Sequence, residues 1–509
     1  MFNKILIANR GEIALRIARA CKELDIKSVA VFSEADKNAL HTRYADEAYC
    51  IGTAQPSDDY LNIQKIVEIA EASGSEAIHP GYGFLAQIPE FASECEAREI
   101  SFVGPSSESL RLMGNKLTAR RTMKAAGISV IPGTTSTLRT ENEVEMIAEK
   151  FGYPVLIKAV YGGGGKGLRV VRNTDEIRPA IELARLEAEA SFGNPQIYVE
   201  KLLDKPRHIE FQVLADKHGN IIHLGERECS IQRRHQKLIE ETPSPMMTEQ
   251  KRRSTGQEAV EAAKAAKYVS AGTLEFLVDK SGAFHFLEMN TRLQVEHLIS
   301  EMVTGVDIVK EQIRIAAGER LGYQQEDIAI SGHAFNCRIN AENPSKNFAP
   351  SPGTVTDLLL PGGPGVRVDT GLYVGCNIPL LYDSLIAKIA VWGRDRTEAI
   401  PRMKNALEEL RIDGVETTTS FLCKILTDED FRKGHIHTCF VDERIDDSAF
   451  QSGNTKEDVA VLSAVLTNYL SNRQKGAIVV PSRNRSRLSS WRASGLTGNS
   501  SLGNLRWMR

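Results

Sequence analysis

At 509 residues, 42% of them hydrophobic and 25% charged, the chain has the balance of a globular protein of roughly two to four domains. A net charge of −3 gives no general case for nucleic-acid or membrane-surface binding, and no apolar run approaches the roughly 18 residues a spanning helix needs. The eight cysteines lie singly, without a C-x-x-C pair, and Met1-Phe2-Asn3-Lys4-Ile5 enters a strand with no cleavable apolar stretch. A reduced cytoplasmic protein without a zinc site or disulfide framework is expected.

Lys4 to Ala8, Ser28 to Phe32, Glu76 to His79 and Ser101 to Val103 read as short strands. Ile13, Ile17, Cys21 and Leu24 share one helical face between the first two. This alternation predicts an open parallel α/β sheet. A basic helix with Lys116, Arg120, Arg121 and Lys124 ends at Gly127, and a second α/β unit follows from Pro132 to about Leu203. Residues 208–300 are richer in strands, with turns at Asp216 to Asn220 and at Asp279 to Gly282. Residues 332–445 mix strands and helices. Beyond Ile445 an acidic linker precedes an amphipathic helix near Glu457 to Leu470. Pro481 to Arg509 then carries six arginines, Trp491 and Trp507, and no acidic residue. That composition suits a solvated tail in the free chain, and its tryptophans suit a docking segment ordered by a partner.

Chemistry first shows at Tyr161-Gly162-Gly163-Gly164-Gly165-Lys166-Gly167. The run formally fits G-x-G-x-x-G, but Leu168-Arg169-Val170-Val171 follows as a strand, whereas a dinucleotide fingerprint needs a helix there. A glycine hairpin closing over phosphates through its N–H groups remains. Lys158, ending the strand Val155-Leu156-Ile157, suits an α- or β-phosphate. Farther on, Gly272 to Val278 and Phe284 to Met289 read as a hairpin. Pairing Asp279 with Phe284 sets Glu275 opposite Glu288, a destabilising juxtaposition that a hard dication such as Mg²⁺ would relieve. A regular strand then puts Glu288, Asn290 and Arg292 on one face. Gln232, His235 and Lys237, within the polar run Glu228 to Glu241, suit phosphate, ribose or a small anion, or simply a solvated face. His208 and Glu210, two apart, suit the site or a structural pair.

With these runs in view, the chain resembles the biotin carboxylase family of the ATP-grasp superfamily across residues 1–445. The resemblance is carried by Ile7-Ala8-Asn9-Arg10-Gly11-Glu12-Ile13-Ala14, His79-Pro80-Gly81-Tyr82-Gly83-Phe84-Leu85, the glycine loop, Gln232 to Lys237, Glu288-Met289-Asn290-Thr291-Arg292-Leu293-Gln294-Val295-Glu296-His297 and Arg338-Ile339-Asn340-Ala341-Glu342. It implies an α/β chain with an ATP-grasp fold. Its parts would be an N-terminal doubly wound (Rossmann-like) domain at 1–114, linker helices and a glycine-loop lid at 115–203, the ATP-grasp core at 204–330, an α+β C-terminal domain at 331–445, and a helix and basic tail at 446–509.

The resemblance also implies roles. ATP would be held by Lys116, Lys158, Gly163, Gly164, Gly165, Glu200, Lys201, Leu203, His208, Gln232, His235, Glu275 and Glu288. Glu275, Glu288 and Asn290 would ligate Mg²⁺ or Mn²⁺, while Lys237, Arg292, Gln294 and Val295 would form the bicarbonate pocket. Glu296 would be the base that deprotonates bicarbonate, and Arg338, with Tyr82 nearby, would meet biotin. Neither Met123-Lys124 nor Met403-Lys404 sits in an A-M-K-M context, so biotin is expected on a separate carrier protein, as the substrate. The expected partners are that biotin carboxyl carrier protein and a carboxyltransferase subunit, within an acetyl- or propionyl-CoA carboxylase. A two-subunit pyruvate carboxylase is the alternative, and an inactive scaffold the alternative of another class.

Arg16, Arg19, Glu23 and Arg367 are similar to the family's dimer surface, so a homodimer is expected, although Pro364 replaces a commonly aromatic residue. Ala86-Gln87-Ile88 stands where the family has Ser-Glu-Asn, Leu298 replaces a proline, and Tyr161 a glycine. These departures bear on biotin positioning and the lid, and leave the metal and bicarbonate residues intact.

Overall fold

In this computed structural model the structure describes residues 1–53, 59–161, 167–445 and 463. Gly163, Gly164 and Gly165, the expected helix near Glu457 to Leu470 (save Ser463) and the basic tail lie outside the described residues.

The N-terminal strands Lys4–Ile7, Lys27–Ser33, Glu47–Gly52, Ala77–His79 and Ser101–Phe102 form a parallel sheet in the spatial order third, second, first, fourth, fifth. Glu47–Gly52 is an edge strand that the sequence reading does not include; only Ile51 of it is buried, unlike the strands at the centre of the sheet. Lys4–Ile7 is buried on both faces. Ile5 and Ile7 enter a core with Ile13 and Ile17, whereas Leu6 and Ala8 enter another with Val29, Val31 and Ile66. Alternate residues feeding two cores are what a doubly wound sheet requires.

Strand order reverses between Lys4–Ile7 and Ala77–His79, and in such sheets the crevice beyond the carboxyl ends at that point is where ligands bind. Here the side chain of Asn9 closes it, donating from Nδ2 to the carbonyls of Pro80 and Tyr82 at 2.7 Å each. Gly81, at φ +63°, leaves Asn9 room, since a Cβ there would lie 2.9 Å from its Nδ2. Tyr82 is thereby fixed at the switch point.

Residues 132–203 build a small antiparallel sheet rather than a parallel unit. Val155–Ala159 is its centre, flanked by Leu168–Val171 and Ile197–Lys201, with helices Glu141–Phe151 and Ile177–Phe192 packed on it. Helix Lys116–Ala125, capped by the Asn115 side chain, leads into it.

The largest sheet has eight antiparallel strands in the order Phe284–Asn290, Ser270–Val278, Arg207–Ala215, Ile221–Arg233, Gln236–Thr242, His333–Asn340, Leu385–Gly393 and Val366–Thr370. It runs without a break across residue 330, where the sequence suggests a division. Among the described residues no helix is long and apolar enough to cross a membrane.

Candidate active site

The hairpin of Ser270–Val278 and Phe284–Asn290 does set Glu275 opposite Glu288, but by a different route from the regular register. Val278, not Asp279, pairs with Phe284, and Phe276 pairs with Phe286. A β-bulge at Leu287 then inserts one residue and brings Glu288 across from Glu275. Without the bulge Leu287 would face Glu275. The strand ends at Asn290, so Arg292 reaches the site from the following loop.

Around this hairpin, adjacent strands aim charges inward. Lys237, on Gln236–Thr242, donates to Glu210 Oε2 at 2.5 Å, to Glu275 Oε1 at 2.8 Å and to Glu296 Oε1 at 2.8 Å. Burial alone would lower its pKa, but Glu210, Glu275 and Glu296 together raise it well above the ordinary lysine range. Burial would likewise raise Glu296, yet Lys237, Arg338 and Arg227 hold it well below the usual carboxylate range. Glu275 is held low in the same way by Lys237 and by His208, whose Nε2 stands 3.1 Å from Oε2. Gln294 and Asn290 each donate to Glu275 Oε1, at 2.9 and 2.8 Å. Arg338, on His333–Asn340, bridges Glu296 Oε2 at 2.9 Å and Glu240 Oε1 at 2.6 Å.

Arg292 differs from the other site cations. Its Nε donates to Gln87 Oε1 at 2.8 Å, Nη1 to the Leu293 carbonyl at 3.0 Å and Nη2 to Asn290 Oδ1 at 3.2 Å. All three acceptors are neutral, and burial lowers its pKa despite Glu296, Glu275 and Glu288 nearby. Such a guanidinium is prepared for an anion.

Tyr82 joins through Glu12. Its hydroxyl donates to Glu12 Oε1, which also accepts from Lys388 at 3.1 Å, and Lys388 reaches the Val295 carbonyl at 3.3 Å. Burial pushes the Glu12 carboxyl up to about 7, against Lys388.

A second group lies on the small sheet. Glu200 is buried and accepts from Lys158 at 3.0 Å, from Arg120 at 2.5 Å and from Tyr198 at 3.1 Å. Lys201 donates from Nζ to the carbonyls of Gly152 and Tyr153, and Leu203 is half-buried just beyond the strand. The carboxylate of Glu200 is therefore committed to fixing Lys158, and this segment offers a nucleotide its backbone. Lys116 links the two groups: burial lowers its pKa while the charge of Glu288 raises it and that of Lys158 lowers it again. Gln232 is buried and pairs across the hairpin with Lys237, while His235 is exposed at the turn with φ +65°.

The residues expected to ligate a metal fit that role in part. Glu288 makes no hydrogen bond or ion pair among the described residues, so it adds a charge opposite Glu275 that Lys116 and Arg292 offset only from a distance. That pair suits a hard dication. Asn290 turns its amide nitrogen to Glu275 and its oxygen to Arg292, and must rotate that amide to ligate. Cys229 is buried and its thiol pushed far up, so thiolate chemistry has no support.

Three members of the site escape sequence reasoning. Arg227 is wholly buried and ties together Glu210 at 2.6 Å, Gln212 at 2.8 Å, Ser300 at 3.0 Å and Gln294 at 2.6 Å. Glu240 backs Arg338, and Lys388 joins Glu12 to Val295. Glu240 sits in the run Glu228 to Glu241, which reads as a solvated face, and Arg227 just before it; strand alternation says only that Glu240 faces away from the apolar side of Ile239.

Comparison with known proteins identifies the family. Residues 1–110 match the biotin carboxylase N-terminal domain, residues 115–324 the ATP-binding domain of the carbamoyl-phosphate synthase L chain, and residues 336–443 the biotin carboxylase C-terminal domain. The chain is 56% identical over 479 residues to a pyruvate carboxylase subunit of Methanothermobacter thermautotrophicus, covering 94% of this chain and 97% of that one. It is 54% identical to the biotin carboxylase of Nostoc sp., covering 87% and 99%. Among solved structures, the biotin carboxylase domain dimer of Hydrogenobacter thermophilus 2-oxoglutarate carboxylase, in complex with MgADP, ADP and bicarbonate, superposes with a TM-score of 0.87. It is 51% identical and covers 89% of this chain and 99% of that one. Biotin carboxylase of Campylobacter jejuni gives 0.85 at 47% identity, covering 87% and 99%. The chain is therefore a member of the biotin carboxylase family, an ATP-grasp ligase.

Proposed function

We propose that this chain performs the first half-reaction of a multi-subunit carboxylase, the ATP- and bicarbonate-dependent carboxylation of biotin on a separate carrier protein. The observation that carries it is Glu296, buried between Lys237 and Arg338, beside an Arg292 that meets only neutral acceptors.

Arg292, Lys237, Gln294 and the Val295 backbone receive bicarbonate. Its charge draws Lys237 from Glu296, which raises the proton affinity of that carboxylate while the same cations lower that of bicarbonate. Glu296 takes the proton as the bicarbonate oxygen attacks the γ-phosphorus of ATP, and ADP leaves from carboxyphosphate. Lys116 and Lys158 meet the phosphates. Glu275, Glu288 and Asn290 would hold a divalent cation, which would supply further charge neutralisation. Carboxyphosphate is labile, so the small sheet and its glycine loop must exclude water before it collapses to CO₂ and phosphate. That phosphate takes the N1 proton of biotin, and N1 attacks CO₂. Arg338 offers a fixed cation to the enolate-like ureido oxygen, with Tyr82 alongside.

Glu296→Gln tests this. ATP cleavage that depends on both biotin and bicarbonate should fall at least about 100-fold while ATP binding is kept. Full activity in that variant removes Glu296 as the base. The partners proposed are a biotin carboxyl carrier protein and a carboxyltransferase subunit, with a second copy of this chain across the surface of Arg16, Arg19, Glu23 and Arg367. The eight unpaired cysteines support a cytoplasmic setting.

For the acceptor, acetyl- or propionyl-CoA is the reading from sequence, and a 2-oxo acid is the second reading. The relatives favour the second. Those named for pyruvate and 2-oxoglutarate align over 479 and 470 residues, past residue 445, whereas the Nostoc and Bacillus subtilis biotin carboxylases align over 442 and 443. Reconstituting the holoenzyme and comparing turnover on acetyl-CoA, propionyl-CoA and pyruvate decides between them.

A further inference from the structure

We propose that Glu240 is a positioning residue for biotin carboxylation, holding Arg338 from behind so that Glu296 can change its protonation without losing the cation. The inference rests on the roles given above to Glu296 and Arg338. Glu240 lies on Gln236–Thr242 directly across from Asn336, and it is fully buried. Its Oε1 accepts from Arg338 Nε at 2.6 Å and its Oε2 from Asn336 Nδ2 at 2.7 Å. Arg338 and Asn336 are two apart on one strand, so both side chains reach the same carboxylate from the same face.

Arg338 thus stands between two carboxylates that behave differently in turnover. Glu296 accepts a proton, and once neutral it no longer holds the guanidinium electrostatically. Glu240 bonds Asn336 and Arg338, and since the Glu296 charge is one of the causes, with burial, that raise its pKa against Arg338, its ionised form is favoured further once Glu296 is neutral. A charge-assisted bond of 2.6 Å to Nε fixes the plane of the guanidinium, so the Nη atoms stay aimed at the place where the ureido oxygen gains charge. Without the Glu240 charge, Arg338 pairs with Glu296 alone, and the base and the cation sequester each other.

The test is a double-mutant cycle on the full chain with free biotin as the probe substrate. Glu240→Gln keeps the side-chain volume, and the Asn336 Oδ1 atom, buried without a hydrogen-bond partner, can turn to accept from the new amide. We expect kcat for biotin-dependent turnover to fall about tenfold with KM for ATP unchanged within about twofold. In an Arg338→Gln background the same substitution should change kcat by less than about twofold. Unchanged kcat in the parent chain, or a tenfold loss that persists without Arg338, overturns the proposal, because Glu240 would then be idle or act by another route. If Glu240→Gln fails to fold, Glu240→Asp, one methylene short with its charge kept, enters the same cycle with the same expectation. Failure of the functional reading itself looks different: Arg338→Gln alone would leave biotin carboxylation intact.

Discussion

Arg292 owes its readiness for an anion to what surrounds it. Gln87 stands where the family has a glutamate, and its oxygen holds Arg292 Nε without neutralising the charge. Gln87→Ala should loosen that anchor and raise KM for bicarbonate about 3- to 10-fold, with KM for ATP unchanged; equal rises in both would show a general distortion of the cleft instead. Glu12 makes a second residue-level case. Its carboxyl sits at about 7 because burial disfavours the charge more than Lys388 restores it. A raised carboxyl contributes stability that is fully present below the unfolded value of about 4.3 and is lost as pH rises through the folded value. Glu12→Gln should therefore gain on the parent chain between about pH 4.3 and pH 7, by at most about 4 kcal/mol. Denaturant unfolding at a series of pH values measures it, and a pH-independent difference would rule out Glu12 as the titrating group.

Among the elements, the hairpin shows how a local irregularity sets chemistry. Its two acidic residues are legible as a metal-binding pair, but the bulge at Leu287 that aligns them is not, since an inserted residue and a shifted turn give the same final pairing. The small sheet offers a sharper test. Gly167 has φ +68°, and a Cβ there would lie 2.8 Å from Ala159 Cβ on the strand that ends beside Lys158. Gly167→Ala should force Val155–Ala159 and Leu168–Val171 apart and destabilise this sheet by about 1–3 kcal/mol. Faster amide exchange confined to residues 132–203 and a several-fold rise in KM for ATP are the expected readouts; exchange like that of the parent chain would mean the strands absorb the methyl.

For the whole molecule, the main device is a sheet of eight strands that carries Glu210, Arg227, Lys237, Glu240, Glu275, Glu288 and Arg338 on neighbouring strands and meets the switch point of the N-terminal sheet at Glu12 and Tyr82. Every residue of that arrangement lies before 445. Truncation after Ile445 should spare carboxylation of free biotin and release the chain from its partners. Co-purification of those partners with the truncated chain would assign docking to another surface.

The sequence determined the local chemistry. Alternating apolar strands and a helical face at Ile13, Ile17 and Cys21 were enough for the parallel N-terminal sheet, because parallel strands bury both faces and announce it in composition. The runs at Gln232 to Lys237 and Glu288 to His297 were enough to nominate candidate reactive groups. Only the tertiary structure decided how charges are shared. Lys237 touching three carboxylates, Arg227 binding residues from Glu210 to Ser300, and Arg338 divided between Glu296 and Glu240 all join strands far apart in the chain. A one-dimensional pattern reports that a residue is charged. Which opposite charge it meets, and whether water is excluded when they meet, depends on strand order and register, and those are properties of the folded sheet.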